Sequence, residues 1–169
     1  METGFDMSKS SEVGLIGTIS EAFAHRAKPD IKTNSDQLSP SEAASLEEIF
    51  EHRWQDLSAD IWEENFDAVS WLAPQAFCYY LPGILISSIL HGNPNLIAAT
   101  AIIGTLDRSP TPAWWDDFFV PRWTSLTLQE CNAVQEWLLW VCQCETRSVS
   151  DDSIGRSLDT LELLKARIT

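Results

Sequence analysis

The sequence predicts an all-α protein, a single compact bundle of seven to nine short helices around a central uncharged segment. Three observations support this prediction. The stretch from Ala68 to Leu106 contains no Asp, Glu, Lys or Arg, in a chain whose formal net charge is −14. Ser/Thr-x-x-Glu capping boxes mark helix starts at Ser39 and at Thr127. Apolar residues on both sides of the stretch recur at spacings of three and four, which is the period of a helix.

The N-terminal part of the chain is predicted to form a tail and three helices. We expect residues 1–11 to be a disordered tail and residues 12–169 to be a single domain. A helical spacing of apolar side chains runs over Glu12–Ala27. The Ser39 capping box starts the next helix, and Ser58 caps the one after it. The inward residues of these last two helices are predicted to be Ala43, Leu46, Phe50, Trp54, Leu57, Ile61, Trp62, Phe66 and Val69.

Prolines and glycines divide the central uncharged segment. The apolar pieces between them are shorter than the roughly 20 residues that a membrane-spanning helix needs. We therefore predict the core of a soluble protein, made of three short helices. The first runs over Pro74–Tyr80 and the second over Pro82–His91. The third is capped by Asn93, has Pro94 at its first position and ends near Leu106.

The C-terminal part is predicted to contain three more helices. A short one spans Pro112–Phe119. The Thr127 capping box starts a longer one that runs to about Glu145 and carries two adjacent apolar stripes, so that it is buried on more than one side. The last is an amphipathic helix whose apolar residues are Ile154, Leu158, Leu161, Leu164 and Ile168.

A short pattern occurs on each side of the central segment, as Arg53-Trp54-Gln55-Asp56-Leu57-Ser58 and as Arg122-Trp123-Thr124-Ser125-Leu126-Thr127. Each copy ends in a helix cap. The shared chemistry is local: Trp and Leu pack under a helix entry, and Arg stacks on a ring or binds helix-end carbonyls. Whether the two copies are a true repeat stays open.

The charge balance restricts the class of partner. The chain has 25 acids and 11 bases, and such a field repels nucleic acid and anionic membranes while it speeds the encounter with basic proteins. Solubility alone is the other interpretation of this balance. The start of the sequence lacks the basic and apolar regions of a secretory signal, and the four Cys then indicate reduced thiols. We expect a cytoplasmic protein.

Three blocks of residues resemble a family of small bacterial all-helical proteins of unknown function. They are a Trp-x-x-Leu block at Trp54 and Leu57, a Tyr-x-Leu-Pro block at Tyr79–Pro82, and a late Leu-Thr block that leads into an apolar helix. The matching positions of that last block are Leu126, Thr127, Ala133, Val134, Trp137 and Leu138. Glu130 stands where the family usually has Gln, and a capping box accepts either residue. The resemblance implies a bacterial, cytosolic, all-helical protein and implies no catalytic residue.

No pattern in the sequence indicates catalysis, a metal or a cofactor. Cys142 and Cys144 would point about 200° apart on a helix, so they do not form a zinc pair. No Glu-x-x-His motif or nucleophile elbow is present. His52 and Asp56 are predicted to be an ordinary local pair four residues apart. We therefore predict no catalytic residue, no metal site and no cofactor.

Two groups of residues are the candidates for binding a protein partner. The segment from Glu42 to Asp67 holds nine acids and one Arg, and a helical arrangement places most of these acids outside. The adjacent Trp114 and Trp115 would point about 100° apart on a helix, so one of them could lie at the surface as an anchor. The candidate residues are Glu47, Glu48, Glu51, Asp60, Glu63, Glu64, Asp67, Trp114, Trp115, Asp116 and Asp117.

Three functional hypotheses follow. The leading one is a non-enzymatic acidic protein that neutralises a basic partner, as an immunity protein does for a toxin. The second is a small-molecule-binding or enzymatic domain with a pocket near Tyr79, Tyr80 and His91. The third is a structural module that associates with itself through Trp114-Trp115 or the C-terminal helix. The sequence does not give the oligomeric state.

Overall fold

The computed structural model describes residues 7–168 of the chain, and nine α-helices with two 3-10 turns make up this part. There is no strand among the described residues, so the all-α prediction is confirmed. The 3-10 turns are Trp54–Asp56 and Pro112–Trp114. The helices are α1 Met7–Phe23, α2 Pro40–Phe50, α3 Ala59–Glu64, α4 Ala68–Trp71, α5 Pro74–Leu90, α6 Ile97–Leu106, α7 Phe119–Trp123, α8 Leu128–Gln143 and α9 Asp151–Ile168.

Helix α5 lies at the centre of the molecule. Every residue from Ala76 to Ile89 is buried, because α1, α3, α6, α7 and the Trp54 turn all contact this helix. A helix that is apolar all round has no face to present to water, so it must be covered on every side. The uncharged segment is therefore the core, as the sequence predicts.

The predicted break of this segment at Pro82 is wrong. Pro82 lies inside α5, which continues without interruption to Leu90. A proline within a helix loses one backbone hydrogen bond and costs about 3 kcal/mol. Burial of one Leu or Ile side chain contributes roughly 1.5–3 kcal/mol. Because α5 buries several such side chains beyond Pro82, packing outweighs the local preference.

The third predicted helix of the core starts later than expected. It begins at Ile97, not at Pro94. The side chain of Asn93 does not cap a helix; its Oδ1 accepts a 2.9 Å hydrogen bond from the N–H of Asn95 and so closes a turn. Asn95 in turn donates to the carbonyl of Thr146, 2.7 Å away. These bonds hold residues 93–96 as a loop before α6.

Both capping boxes are confirmed. The hydroxyl of Ser39 accepts from the N–H of Glu42, and the Glu42 carboxylate accepts from the N–H of Ser39 at 2.7 Å. Thr127 and Glu130 form the same reciprocal pair at the start of α8. Ser58 caps α3 as expected, by accepting from the N–H of Ile61. Such caps depend on a few neighbouring residues only, which is why the pattern predicts them well.

Several predicted helix limits and faces are wrong. Helix α1 begins at Met7, so residues 7–11 of the predicted tail are helical, while residues 1–6 lie outside the described part. Helix α2 ends at Phe50, and Trp54 reaches the core from a 3-10 turn. Phe66, predicted to face inward, is 43% exposed. The predicted helix Pro112–Phe119 is a 3-10 turn followed by α7.

The two C-terminal helices agree better with the sequence pattern. Helix α8 buries residues from both predicted stripes, and it packs on α1 and α9. It ends at Gln143, two residues before the predicted limit. Helix α9 is the predicted amphipathic helix and packs on α6 and α8. Its buried apolar residues are Ile154, Leu161 and Leu164, while Leu158 is half-buried and Ile168 is exposed.

The two Arg-Trp-x-x-Leu blocks share their buried Trp and Leu but not the role of their Arg. Arg53 is exposed and pairs with Asp56 at 3.0 Å. Arg122 is buried and donates to the carbonyls of Phe118 and Leu72, at 2.9 and 2.7 Å. The guanidinium carbon of Arg122 also lies 3.9 Å from the ring centre of Phe118. Only the helix-entry chemistry is therefore common to the two blocks.

Within residues 7–168, no helix combines the length and the apolar character that crossing a membrane requires.

The contact between α5 and the Trp54 turn leads to a test by mutation. A Cβ atom added at Gly83 would lie 2.9 Å from the carbonyl oxygen of Trp54. We expect Gly83→Ala to lower the free energy of unfolding by about 1–3 kcal/mol, because backbone atoms must move. Urea denaturation measures the change.

Gly104→Ala in α6 is the matched control. A Cβ atom there meets nothing within 4 Å, so we expect the free energy of unfolding to rise by roughly 0.5–1 kcal/mol through helix propensity. Equal effects of the two substitutions would contradict the close approach at Gly83.

Candidate functional site

The outer side of α2 carries three of the acids that the sequence singled out. Glu47, Glu48 and Glu51 are exposed there, opposite the buried Leu46 and Ile49. A helix that buries one side presents the other to solvent, so these positions follow from the apolar pattern. Helix α2 contacts both α3 and α4, which places the acids of the three helices in one region.

Three of the predicted acids serve the fold. Glu47 forms an ion pair with Lys32. Glu63 is half-buried, and its Oε1 accepts a 2.6 Å hydrogen bond from the N–H of Ile97 at the start of α6. Asp67 is half-buried at the N-cap of α4, where a negative charge favours the helix dipole. These three carboxylates are therefore less available to a partner.

Four other acids form a surface that we call the acidic face: Glu48, Glu51, Asp60 and Glu64. All four are exposed, and none has an ion-pair partner among the described residues. Glu48 on α2 and Glu51 at the C-cap of α2 are three residues apart, and Asp60 and Glu64 are four apart on α3. Like charges at this spacing destabilise a helix by about 0.2–0.5 kcal/mol for each pair. The charges of Glu48 and Glu51 at the C-terminal end of α2 thus cost the fold some stability, whereas Asp60 in the first turn of α3 is favoured by the helix dipole.

The two adjacent tryptophans take opposite positions. Trp114 is 78% exposed, whereas Trp115 is 7% exposed. The ring of Trp115 packs edge-on against Phe119 with 4.8 Å between ring centres. Its Nε1 donates a 3.0 Å hydrogen bond to the carbonyl of Ser109. The expectation that one Trp of the pair lies at the surface is therefore met by Trp114.

We call residues 109–117 the Trp114 corner. Its backbone is fixed by a 3-10 turn in which the N–H of Trp114 donates to the carbonyl of Thr111 at 3.0 Å. Asp116 is exposed, but both of its carboxylate oxygens have partners. Its Oδ1 accepts a 2.8 Å hydrogen bond from the N–H of Phe119 at the start of α7, and its Oδ2 lies 3.5 Å from the Arg108 guanidinium. Asp117 is exposed and has no ion-pair partner in the described part of the chain.

The acidic face and the Trp114 corner lie at opposite ends of α6. Glu63, beside the acidic face, bonds to Ile97 at the first residue of α6. The corner is tied to Arg108, just beyond the last residue of this helix. Ten residues of α-helix span about 15 Å. The sequence singled out these residues as two groups, and in the structure the two groups lie apart.

Aromatic rings fill the region where the sequence suggested a pocket. Tyr79 and Tyr80 are buried, and their ring centres are 4.9 Å apart. Phe50 and Trp62 pack against Tyr80, each with 6.1 Å between ring centres. The hydroxyl of Tyr80 donates a 2.7 Å hydrogen bond to the carbonyl of His52, and burial raises the pKa of this hydroxyl. The Tyr80 hydroxyl is thus bonded to the backbone of His52.

Sequence reasoning missed a buried ion pair between α8 and the loop after α1. The carboxylate of Glu130 is fully buried and binds Arg26 through both oxygens, one of them at 2.8 Å. Arg26 also donates to the carbonyl of Ser125 at 2.9 Å. The capping box identifies Glu130, but nothing in the sequence connects it to a residue 104 positions away. The pair fixes the start of α8 against the end of α1.

The cysteine and histidine side chains do not gather at one place. Among residues 7–168, no group of three or more His, Cys, Asp and Glu is arranged to hold a metal ion. Cys142 is exposed, and Cys144 is half-buried with its Sγ directed at the carbonyl of Trp140, 3.3 Å away. The predicted local pair of His52 and Asp56 is wrong, since His52 Nδ1 contacts the Glu48 carbonyl and Asp56 binds Arg53.

Comparison of the chain with protein-family models, with curated proteins and with solved structures finds no match. The resemblance to a bacterial helical family therefore stays a prediction.

The cysteines provide a test of the packing around α5 and α8. Burial raises the pKa of the Cys78 thiol to about 12 and that of the Cys131 thiol to about 11. The thiolate is the reactive form, so at about pH 8 both stay protonated as well as enclosed. We expect iodoacetamide to modify the exposed Cys142 first, and Cys78 and Cys131 only after urea unfolds the chain. Peptide mass spectrometry gives the order, and alkylation of Cys78 as fast as Cys142 would contradict the packing.

Proposed function

We propose that this protein is a non-enzymatic binding protein that neutralises a basic protein partner, in the manner of an immunity protein and its toxin. The acidic face is the observation that carries the proposal. Its four carboxylates, Glu48, Glu51, Asp60 and Glu64, are exposed and have no ion-pair partner within the described residues. They belong to two helices in mutual contact, so their fields add over one part of the surface.

The energetics of the acidic face support a role outside the fold. Exposed charges contribute little to stability even when they are paired. Unpaired like charges on one helix reduce it. A cluster of such charges instead raises the rate at which a basic surface is encountered and orients that surface before contact. The charge cluster thus favours association with a basic partner more than it stabilises α2 and α3.

The setting that we propose for this activity is the bacterial cytosol. Four cysteines without a disulfide are in keeping with a reducing compartment. The resemblance of the Trp54, Tyr79 and Leu126 blocks to small bacterial proteins supports the same setting. Nucleic acid is a poor partner for a surface of this charge, because a protein that binds it must neutralise its phosphates with Lys and Arg side chains.

The alternative of a ligand pocket near Tyr79, Tyr80 and His91 receives less support. Two of its three residues are buried within a cluster of rings, and His91 is exposed at the end of α5. A small-molecule site needs a concave space lined by such side chains. The packing of Tyr80 between Phe50 and Trp62 counts against one.

Charge reversal tests the proposed function. The tagged chain is used to capture its partner from the native cells, and the identified partner is purified for rate measurements. We expect the variant with both Glu48→Lys and Glu51→Lys to lower the association rate constant at least about tenfold, since the steering field is removed. Stopped-flow fluorescence at several salt concentrations measures this rate.

The control for this experiment has the same change in net charge. It combines Glu145→Lys and Asp159→Lys, which alter two exposed acids without an ion pair in the described part of the chain. We expect less than a twofold effect. Equal losses of association rate in the two variants would contradict the proposal. At about 0.5 M salt, charges are screened within a few Å, so an association rate that stays constant up to this concentration would also contradict it.

A further inference from the structure

The loop between α1 and α2 concentrates bases in a strongly acidic chain. Residues 24–32 contain Arg26, Lys28 and Lys32 beside His25, with Asp30 as the one acid, whereas the whole chain has a net charge of −14. Part of this loop lines a cleft of about 440 Å³. The residues that line it are His25, Arg26, Ala27, Lys28, Pro29, Gln75 and Ser125, and no acid is among them. A cleft lined by one sign of charge attracts ligands of the opposite sign.

The two cationic side chains of this cleft are held in place by the fold. Arg26 is paired with the buried carboxylate of Glu130 and donates to the carbonyl of Ser125. Lys28 donates to the carbonyl of Phe50 at the end of α2, and its Nζ lies 4.8 Å from the centre of the Phe50 ring. An ammonium group has three donors, so two of those on Lys28 remain for a ligand. Side chains that are already fixed lose little freedom on binding.

A second cleft, of about 270 Å³, lies at the start of α5. Its lining is predominantly apolar and comes from Ile31, Asn34, Ala73, Pro74 and Gln75. Ile31 supplies most of the exposed apolar surface, since its side chain is 62% exposed. Gln75, in the first turn of α5, lines both clefts and therefore lies where they meet. A basic cleft and an apolar cleft thus adjoin each other at one residue.

The charge of the basic cleft matches a ligand with a single negative charge. The Glu130 carboxylate offsets the charge of Arg26, so Lys28 supplies most of the net positive charge. His25 is exposed, and its ring offers an N–H donor in either tautomer. One cation with one or two neutral donors suits a carboxylate better than a doubly charged phosphate.

We propose that the two clefts together bind a small amphipathic carboxylate. Its carboxylate group contacts Lys28 and His25 in the basic cleft, and the side-chain amide of Gln75 donates to it from the junction. Its apolar body lies against Ile31 and Pro74 in the second cleft. Small-molecule sites commonly combine an apolar lining with a few polar groups that fix the orientation of the ligand. The site shares no residue with the acidic face, so the inference does not depend on the proposed function.

Titration of the full chain with three probes, followed by nitrogen-15 NMR, tests the site. Octanoate carries both parts of the proposed ligand, acetate only the carboxylate and octanol only the apolar body. We expect octanoate to shift the amide signals of residues 25–34 and of Gln75 until they saturate. Its dissociation constant is at least about tenfold lower than that of acetate or of octanol, because only octanoate engages both clefts.

Two variants test the two clefts separately. Lys28→Gln removes the main positive charge and weakens octanoate binding several-fold, whereas Lys9→Gln, at an exposed lysine on α1, leaves it unchanged. Ile31→Ser removes apolar surface and also weakens octanoate binding several-fold. Val13→Ser, at a position of α1 that is 70% exposed, is its matched control and has no effect. Far-ultraviolet circular dichroism verifies that each variant is folded.

Three results overturn the proposal. The first is an absence of signal changes at residues 25–34 and Gln75 with octanoate up to about 10 mM, which would leave no affinity of note. The second is equal affinity for octanoate and octanol, which would show that the bases take no part. The third is an equal effect of Lys28→Gln and Lys9→Gln, or of Ile31→Ser and Val13→Ser, which would place the binding elsewhere.

Discussion

The structure depends on the complete burial of α5. This helix has no charged residue, and its side chains from Ala76 to Ile89 are all covered. Its few polar groups bind neighbouring segments: Cys78 contacts the carbonyl of Arg122 at 3.2 Å, and the Ser87 hydroxyl donates to that of Leu57 at 3.3 Å. A buried polar group without a partner costs about 1–3 kcal/mol. These bonds therefore fix both Arg-Trp-x-x-Leu segments against the central helix.

The position of α5 determines what the surface can do. Because the apolar side chains of α2 and α3 turn towards the centre, their acids turn outwards and form the acidic face. Because α7 packs on α5, the Trp114 corner is held just before it, with Trp115 inside and Trp114 outside. The interior is occupied by rings and aliphatic chains. The candidate residues of the acidic face, and Trp114 and Asp117 of the Trp114 corner, accordingly lie on the surface.

The sequence predicted the local features best. The Ser39 and Thr127 capping boxes depend on four consecutive residues, and both form as expected. The prediction of a helix break at Pro82 was wrong, because α5 is packed against four helices and the Trp54 turn. The stabilisation from this packing exceeds the local preference of proline for a break. The buried pair of Arg26 and Glu130 links residues 104 positions apart, which no periodic pattern reveals. The sequence predicted that one ring of the Trp114-Trp115 pair could be exposed, because adjacent helix positions diverge by about 100°. It did not predict which ring, because that depends on tertiary packing.

Hydrogen exchange of the folded protein tests the central role of α5 most directly. If burial of α5 holds the structure together, the backbone N–H groups from Phe77 to Ile89, apart from Pro82, which has none, exchange only through global unfolding. Their free energy of exchange then equals the free energy of unfolding from urea denaturation, and amides of α2 on the surface exchange with a smaller free energy. Amides of α5 that exchange as readily as those of α2 would contradict the account.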